Sequence, residues 1–493
     1  MFWADKLLEG RTGDELINDA WTPSGMVHMG SIKGPVMHDI LFQILKKQGK
    51  NVKFIYGFDD ADPLDGLPPG LEKTHSKYMG VPIHLVPSPD GKGSFAEFFG
   101  IKLKKILDAL GMKPELYRTS THYKDGTYDK SIKFVLDNAV SIRKVYEEIY
   151  DKKLSEDWFP LQVICPKCGK LGTTKVTAWD GKEVTFICKE DLVKWAKGCG
   201  FSGKMSPFKG NSKMPYKVEW AAKWWTYKVT IEGAGKDHAS AGGTYDVAVK
   251  VLKDVFKKKP PFKFTYEFFL SEGRKMSSSK GVGLNGEELL EILSPQIVRF
   301  LMIKTPPNQA VEFNPRSRDI IPRIYDDYQQ AQTKGDVNHR AFELSQIGKE
   351  EKVPEIRFST LAQWVQMPNM QERISKEGFE KWAKYAKIWI EKYALESEKF
   401  LIQEKLPDAA NNLSEKQKEF LRKVLSSIKE GLDPEEFQKN LYEWAKELGL
   451  SSREAFSAIY LSFLGKDHGP KAGWLILSLD MDFVKKRLRQ SSK

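Results

Sequence analysis

Two loop-like runs and one cluster of cysteines hold the side chains of this 493-residue chain best suited to chemistry. The first run is Thr22-Pro23-Ser24-Gly25-Met26-Val27-His28-Met29-Gly30-Ser31, between a short apolar strand and a helical period over residues 34 to 47. A glycine-containing turn from strand to helix lets backbone N–H groups and the helix N-terminus approach a phosphate, and His28 can add a hydrogen bond. An ordinary turn with a surface histidine accounts equally well for this segment taken alone. The second run is Glu272-Gly273-Arg274-Lys275-Met276-Ser277-Ser278-Ser279-Lys280-Gly281. Small residues between two lysines make a loop able to close over a triphosphate and neutralise charge on leaving pyrophosphate. Its bland alternative is a basic, solvated loop.

All four cysteines lie between positions 165 and 199. Cys165 and Cys168 form a knuckle-like pair; 19 residues then precede Cys188, and 10 more separate it from Cys199. Four thiolates in one short segment suit a tetrahedral Zn²⁺ site better than a disulfide framework, with free buried cysteines as the alternative. With all four ligands supplied by protein, the zinc is structural and does not activate water.

The elements that must position these groups follow from hydrophobic periodicity. From residue 14 to about 160, apolar runs such as Asn51 to Gly57 alternate with helical periods such as Val36 to Lys47 and Phe98 to Leu110. That alternation predicts βαβ units and a parallel sheet, an α/β fold. The cysteine segment interrupts it, and strand-like and helical stretches resume at Val218 to Ile231 and Tyr245 to Phe256. The catalytic-looking domain is therefore expected to be split by an insertion. After about residue 286 strand signals become sparse. Phe420, Leu421, Val424, Leu425 and Ile428 share one helix face. Asp433-Pro434 starts another helix, and Ser451 with Glu454 forms a capping box before a third, so the last third reads as a helical bundle. The polar stretch Gln403 to Glu415 is the clearest linker or surface loop.

Composition narrows the function classes. At 41% hydrophobic and 29% charged residues, with no apolar run approaching a bilayer span, a disordered chain and a membrane protein are both excluded. The start, Met1 to Gly10, matches neither a secretory nor a transit peptide, which predicts a cytoplasmic protein. A formal net charge of +12 favours a polyanionic partner such as nucleic acid.

Taken together, the Pro-Ser-Gly-x-x-His-x-Gly turn and the later Lys-Met-Ser-Ser-Ser-Lys run resemble the two signatures of class I aminoacyl-tRNA synthetases. Further runs narrow the resemblance to the archaeal-type class I lysyl-tRNA synthetases: Trp3-Ala4-Asp5, Tyr56 to Pro63, Glu232 to His238 and Gly465 to Pro470. The resemblance implies a Rossmann core with an α-helical anticodon-binding domain. It also implies activation of L-lysine by Mg²⁺-ATP to lysyl-adenylate, then transfer to the terminal ribose of tRNA(Lys). The boundaries expected on this basis are 1–110 and 214–285 for the two catalytic halves and 111–213 for the zinc-binding insertion. Residues 286–340 make a stem-contact region and 341–493 the anticodon-binding domain. A monomer is expected.

By the same resemblance His28, Lys275 and Lys280 are the catalytic candidates, and Ser24, Gly25, Gly30, Ser31, Asp237, Met276, Ser277, Ser278 and Ser279 join His28 in binding ATP. Two signature positions depart from the family pattern: Ser31 stands at the second histidine and Ser278 at the usual lysine, leaving Lys280 to serve from two residues later. Thr22, Tyr216, Trp220, His238, Tyr266 and Glu267 lie at segments resembling the family's lysine pocket. Asp59, Asp60 and Asp62 follow an apolar strand ending at the ligand edge of an open parallel sheet, where carboxylates suit an ammonium group. The related glutamyl enzymes bind an acidic side chain with an arginine near the first strand, and Leu16 to Trp21 contains no basic residue, so the resemblance implies that glutamate is a poorer fit. Ornithine differs from lysine by one methylene, typically worth ~1–3 kcal/mol.

Lys194, Lys197, Lys204, Lys209 and Lys213 in the insertion form a set able to approach the tRNA acceptor backbone. Two other readings remain open. A nucleotidylyltransferase shares the histidine motif but needs neither the late loop nor the helical end. A tRNA-binding paralogue without activity is conceivable from Ser31 and Ser278.

Overall fold

A computed structural model of the protein describes residues 1–275, 283–317, 319–348, 353–367, 370–429 and 431–493. The chain divides into two compact units. One comprises Met1–Leu290, Pro295–Asn314 and Lys334–Lys349; the other comprises Glu291–Ser294, Pro315–Thr333 and Glu350–Lys493.

The first unit is built on five parallel strands: β1 (Glu15–Trp21), β2 (Val52–Phe58), β3 (Glu115–Arg118), β4 (Ile231–Gly235) and β5 (Phe262–Tyr266). Their spatial order is β5-β4-β1-β2-β3. β1 and β2 pair along their whole length, Glu15 against Val52 through Trp21 against Phe58. β1 meets β4 at Ile17 and Ile231. The order runs outward from β1 in both directions, so the point between β1 and β4 is where the topology switches and where an open α/β sheet leaves a crevice at its carboxyl ends.

Helix α1 (Met29–Lys47) crosses from β1 to β2. Ile32, Val36, Met37, Ile40, Leu41 and Leu45 are fully buried, each such side chain contributing about 1.5–3 kcal/mol. Helix α2 (Phe95–Ala109) crosses from β2 to β3 and starts with a capping box, Ser94 accepting the Glu97 N–H while Glu97 accepts the Ser94 N–H. The apolar periods at Val36 to Lys47 and Phe98 to Leu110 thus lie in real crossover helices that begin a few residues earlier than the apolar pattern shows.

Between β3 and β4 the chain passes through a three-stranded antiparallel meander, Thr174–Trp179, Val184–Cys188 and Ser202–Met205. Helix α3 (Tyr216–Tyr227) leads into β4, and α4 (Thr244–Asp254) connects β4 to β5. After β5 the strands are short: Phe269–Ser271 pairs with Arg274–Lys275 and with Val311–Glu312.

The second unit is helical. Helices α5 (Glu415–Ser427), α6 (Pro434–Glu447), α7 (Ser452–Leu464) and α8 (Met481–Ser491) enclose Phe420, Val424, Phe437, Leu441, Ile459 and Phe463. The predicted starts hold. Asp433 accepts the Glu435 and Glu436 N–H groups ahead of Pro434, and Ser451 with Glu454 forms the capping box. Gln403 to Glu415 is a surface loop, mostly exposed or half-buried, rather than a free linker. The Gln403 N–H bonds the Phe463 carbonyl at 2.9 Å, Arg487 donates to the Gln403 carbonyl at 2.6 Å, and Leu413 is buried. Two of its few apolar residues, Ala410 and Leu413, supply the burial that its polar composition hides. No helix among the described residues is long and apolar enough to cross a membrane.

Candidate active site

At the carboxyl end of β1 the chain turns through Thr22 to Val27 into α1. The Ser24 N–H bonds the Thr22 carbonyl at 2.8 Å, and His28 occupies the N-cap of α1 in extended conformation. A Cβ at Gly30 would come 2.9 Å from His28 Cε1, so only glycine lets the imidazole lie against the first turn of the helix. This juxtaposes a histidine with the positive end of the helix; the Met29 N–H already bonds the Leu284 carbonyl at 3.0 Å and the Ser31 N–H the His28 carbonyl at 2.9 Å, so the imidazole and the helix dipole are what suit a phosphate here.

A cleft of about 220 Å³ opens at the switch point. It brings His28, Gly30 and Ser31 of the first run together with Asp237, His238, Tyr266 and Glu267 from the ends of β4 and β5. Beside it, Tyr216 and His238 Nδ1 share a 2.7 Å hydrogen bond, Tyr216 stacks on Trp220 with centroids 6.1 Å apart, and Trp220 meets the His238 ring edge-on at 6.0 Å. Five predicted groups, Tyr216, Trp220, His238, Tyr266 and Glu267, therefore gather from three separate elements. Glu267 is paired with Lys236 at 2.6 Å. Met276, Ser277, Ser278, Ser279 and Lys280 lie outside the described residues, as does the side chain of Lys275.

The three aspartates after β2 are placed differently. Asp59 pairs with Lys223, and Asp62 pairs with Lys213 at 2.8 Å and accepts the Thr22 hydroxyl at 2.8 Å. Glu219 joins the two halves, 2.5 Å from Lys213 and 3.2 Å from Lys223. The result is an alternating chain, Asp59–Lys223–Glu219–Lys213–Asp62, most of it buried. Burial pushes the Glu219 carboxyl up, but the two ammonium groups outweigh it and hold its pKa at about 2. Burial raises Asp59 to about 6 against the pull of Lys223. Asp60 is fully buried and accepts both the N–H and the hydroxyl of Ser120, at 2.8 and 2.7 Å. These carboxylates already have protein partners and do not line the cleft. Lys213 is correspondingly not a surface cation: it is 3% exposed and committed to Asp62 and Glu219. Lys204 and Lys209 do lie at the surface.

Three groups absent from the sequence-based expectations shape the site. Glu232 is buried and accepts the Trp220 and Trp224 indole N–H groups at 2.7 and 2.8 Å and the Asn18 amide at 2.6 Å. Burial raises its pKa to about 7 against these three donors. It fixes the Trp220 ring from behind. Tyr56, 1% exposed, and Asp19, 8% exposed, line the cleft directly. Burial first, then the Asp19 charge, push the Tyr56 and Tyr266 phenols up, consistent with both hydroxyls lying near this carboxylate. A polar Asn18-Asp19 pair inside an apolar strand that ends at the ligand edge is the sequence signal for two of these contacts.

The four cysteine Sγ atoms lie within 4.8 Å of one another. Cys165 to Cys199 is 3.6 Å and Cys168 to Cys188 is 3.7 Å. A tetrahedron with metal–sulfur bonds of about 2.3 Å has edges of about 3.8 Å; two of the separations already have that length and all lie within 4.8 Å, so the four thiols fit one Zn²⁺ after a small contraction. The Cys199 N–H points at Cys188 Sγ at 3.4 Å, a donor suited to a thiolate.

Residues 2–352 match the family model of tRNA synthetases class I (K). Among curated proteins, the lysine–tRNA ligase of Archaeoglobus fulgidus is 32% identical, covering 99% of each chain. That of Methanocaldococcus jannaschii is 33% identical, again over 99% of each, and that of Methanosarcina barkeri strain Fusaro is 32% identical over 99% of this chain and 97% of its own. With a phosphate-suited histidine turn and an aromatic, acid-lined cleft at the switch point, and with similarity running end to end, the chain belongs to the class I (K) family of tRNA synthetases.

Proposed function

We propose that this protein is a lysine–tRNA ligase. It joins L-lysine to ATP as lysyl-adenylate with release of diphosphate, and then transfers the lysyl group to the 3′-terminal ribose of tRNA(Lys). The observation that most supports the reading is the end-to-end likeness to lysine–tRNA ligases, which covers 99% of this chain, joined to a cleft whose walls are aromatic and acidic.

In the first step a lysine carboxylate oxygen attacks the α-phosphorus and the bond to the β-phosphate bridging oxygen breaks, so the enzyme's work is alignment and charge stabilisation rather than covalent catalysis. His28 and the positive N-terminal end of α1 hold the phosphates, with Ser24, Gly25, Gly30 and Ser31 shaping the turn. Asp237, exposed at the rim, receives the ribose hydroxyls. Lys275 and Lys280, with the small residues 276–279 between them, neutralise the leaving diphosphate. Mg²⁺ supplies further charge neutralisation on the phosphates when bound. Tyr216, Trp220, His238 and Tyr266 wall the amino acid, with Thr22 and Glu267 at its edges. Asp59, Asp60 and Asp62 support this pocket through their lysine and serine partners rather than by touching the substrate.

In the second step a ribose hydroxyl attacks the lysyl carbonyl and AMP leaves. The catalytic domain is read as residues 1–110 and 214–285, split by the segment 111–213, whose Cys165, Cys168, Cys188 and Cys199 hold a structural Zn²⁺. Residues 286–340 contact the tRNA stem and 341–493 read the anticodon. The protein acts in the cytoplasm, as a monomer. Incubating the purified protein with Mg²⁺-ATP, radiolabelled lysine and a tRNA(Lys) transcript tests the reading. Label appears in tRNA if it is right, and no label with zinc-loaded, folded protein contradicts it.

A further inference from the structure

We propose that Asp19 is the carboxylate that receives the side-chain ammonium of the amino-acid substrate, and so sets the preference for a cationic over an apolar side chain. The inference rests on the lysine reading above and deepens it.

Four observations carry it. Asp19 sits near the carboxyl end of the central strand β1, lines the cleft and is 8% exposed. One of its oxygens, Oδ1, accepts the neighbouring Ala20 N–H at 2.9 Å, while buried Oδ2 has no hydrogen-bond partner among the described residues. A buried carboxylate oxygen left this way is costly unless a cation or donor reaches it. The phenols of Tyr56 and Tyr266 line the same cleft, and a Cβ at Gly34 would fall 2.5 Å from Tyr266 Oη and 3.2 Å from Asp19 Oδ2. The bare backbone of α1 thus makes these two oxygens neighbours, and an anion beside aromatic rings suits an ammonium.

Among the described residues, the protein's own cations do not fill the role. The nearest is His38, whose Nδ1 is 3.4 Å from Oδ2. Burial pushes the His38 pKa down, while the Asp19 carboxylate and the Gly34 carbonyl push it up further, for a net rise. Yet His38 Nε2 accepts the Gly233 N–H at 2.8 Å, which requires a lone pair, and Nδ1 is 2.8 Å from the Gly34 carbonyl. In this bonding pattern the ring is neutral and its one N–H is already directed to a carbonyl. Lys33 of α1 donates to the Glu267 carbonyl at 2.9 Å and has Glu267 rather than Asp19 as its charged neighbour. Lys236 is taken by Glu267. Of the cleft's carboxylates, Glu267 is thus already neutralised and Asp237 is at the exposed rim, which leaves Asp19 as the buried acid among those lining the cleft.

The test compares lysine with norleucine, which keeps the four-carbon side chain and lacks the ammonium. For wild type, Asp19→Asn and Asp19→Glu, the lysine KM and ATP KM in tRNA charging and the Ki of norleucine against lysine are measured. Loss of a charge-assisted contact predicts that Asp19→Asn raises the lysine KM about 10- to 100-fold, with ATP KM and norleucine Ki unchanged. Asp19→Glu, which keeps the charge, retains more of the preference for lysine over norleucine than Asp19→Asn does. If Asp19 is instead only the counter-ion of a protonated His38, norleucine and lysine weaken together in Asp19→Asn, and that result overturns the proposal, as does an unchanged lysine KM. A wild type that charges another amino acid and not lysine overturns the functional reading itself, and this inference with it.

Discussion

At the scale of single residues the site works by fixing side chains through backbone conformation and close packing. His28 owes its position to an extended N-cap backbone and to the absence of a Cβ at Gly30. Replacing it with alanine should slow lysyl-adenylate formation by about 10²-fold, as for loss of one preorganised donor at a transition state. Affinity for tRNA should stay as in wild type. Rapid-quench kinetics beside a filter-binding titration checks this, and an intact activation rate would contradict the role. The residues near the signatures were the legible part of the site, because turn chemistry and motif spacing are local. Asp59, Asp60 and Asp62 were visible as acids at a strand end, but their partners were not. Lys213, Glu219 and Lys223 come from more than 150 positions away, and nothing local in the sequence tells a solvated aspartate from one inside an alternating ion chain. Asp19 escaped for the opposite reason, being one acid within an otherwise strand-like run.

At the scale of elements, helices α1 and α3 are the members that hold the cleft. The buried ion chain ties α3 to the loop after β2, so its protonation should be felt as stability. Glu219 has a folded pKa of about 2, below its ordinary value of 4.5. A depressed carboxyl contributes stability that is fully present above the unfolded pKa and is lost as pH falls through the folded one. Wild type should therefore lose stability between pH 4.5 and about 2, and Glu219→Gln should flatten that part of the profile. At neutral pH the same variant leaves two buried ammonium groups short of one carboxylate and should cost about 3–5 kcal/mol. Denaturant titrations across the pH series measure both effects, and a variant as stable as wild type at pH 7 would refute the coupling. Gly34 offers a second check on α1. Alanine there gains helix propensity of about 1 kcal/mol, yet its Cβ meets Tyr266 Oη at 2.5 Å. Lysine KM should rise while the melting temperature changes little, whereas an unchanged KM would show that Tyr266 yields without consequence. The crossover helices and two C-terminal helix starts were readable from periodicity and caps, because both are set by residues three or four apart. The docking of Gln403 to Glu415 was not, because it depends on Arg487 and Phe463 in the folded bundle.

At the scale of the whole molecule, the metal content and the charge of the chain can both be measured. One Zn²⁺ per chain should be found by elemental analysis of protein purified without chelator. Cys168→Ser should lower both that content and the melting temperature, while a metal-free wild type of undiminished stability would contradict a structural zinc. The basic character of the chain, with a net charge of +12, should make tRNA binding fall steeply with salt. Which amino acid enters the cleft is decided by letting the substrates compete. Total tRNA is charged by the purified protein with Mg²⁺-ATP in an equimolar mixture of the standard amino acids with ornithine, and the ester released by mild base is identified by mass spectrometry. Lysine is expected as the dominant product; a dominant ester of glutamate, arginine or ornithine would overturn the assignment of lysine as substrate.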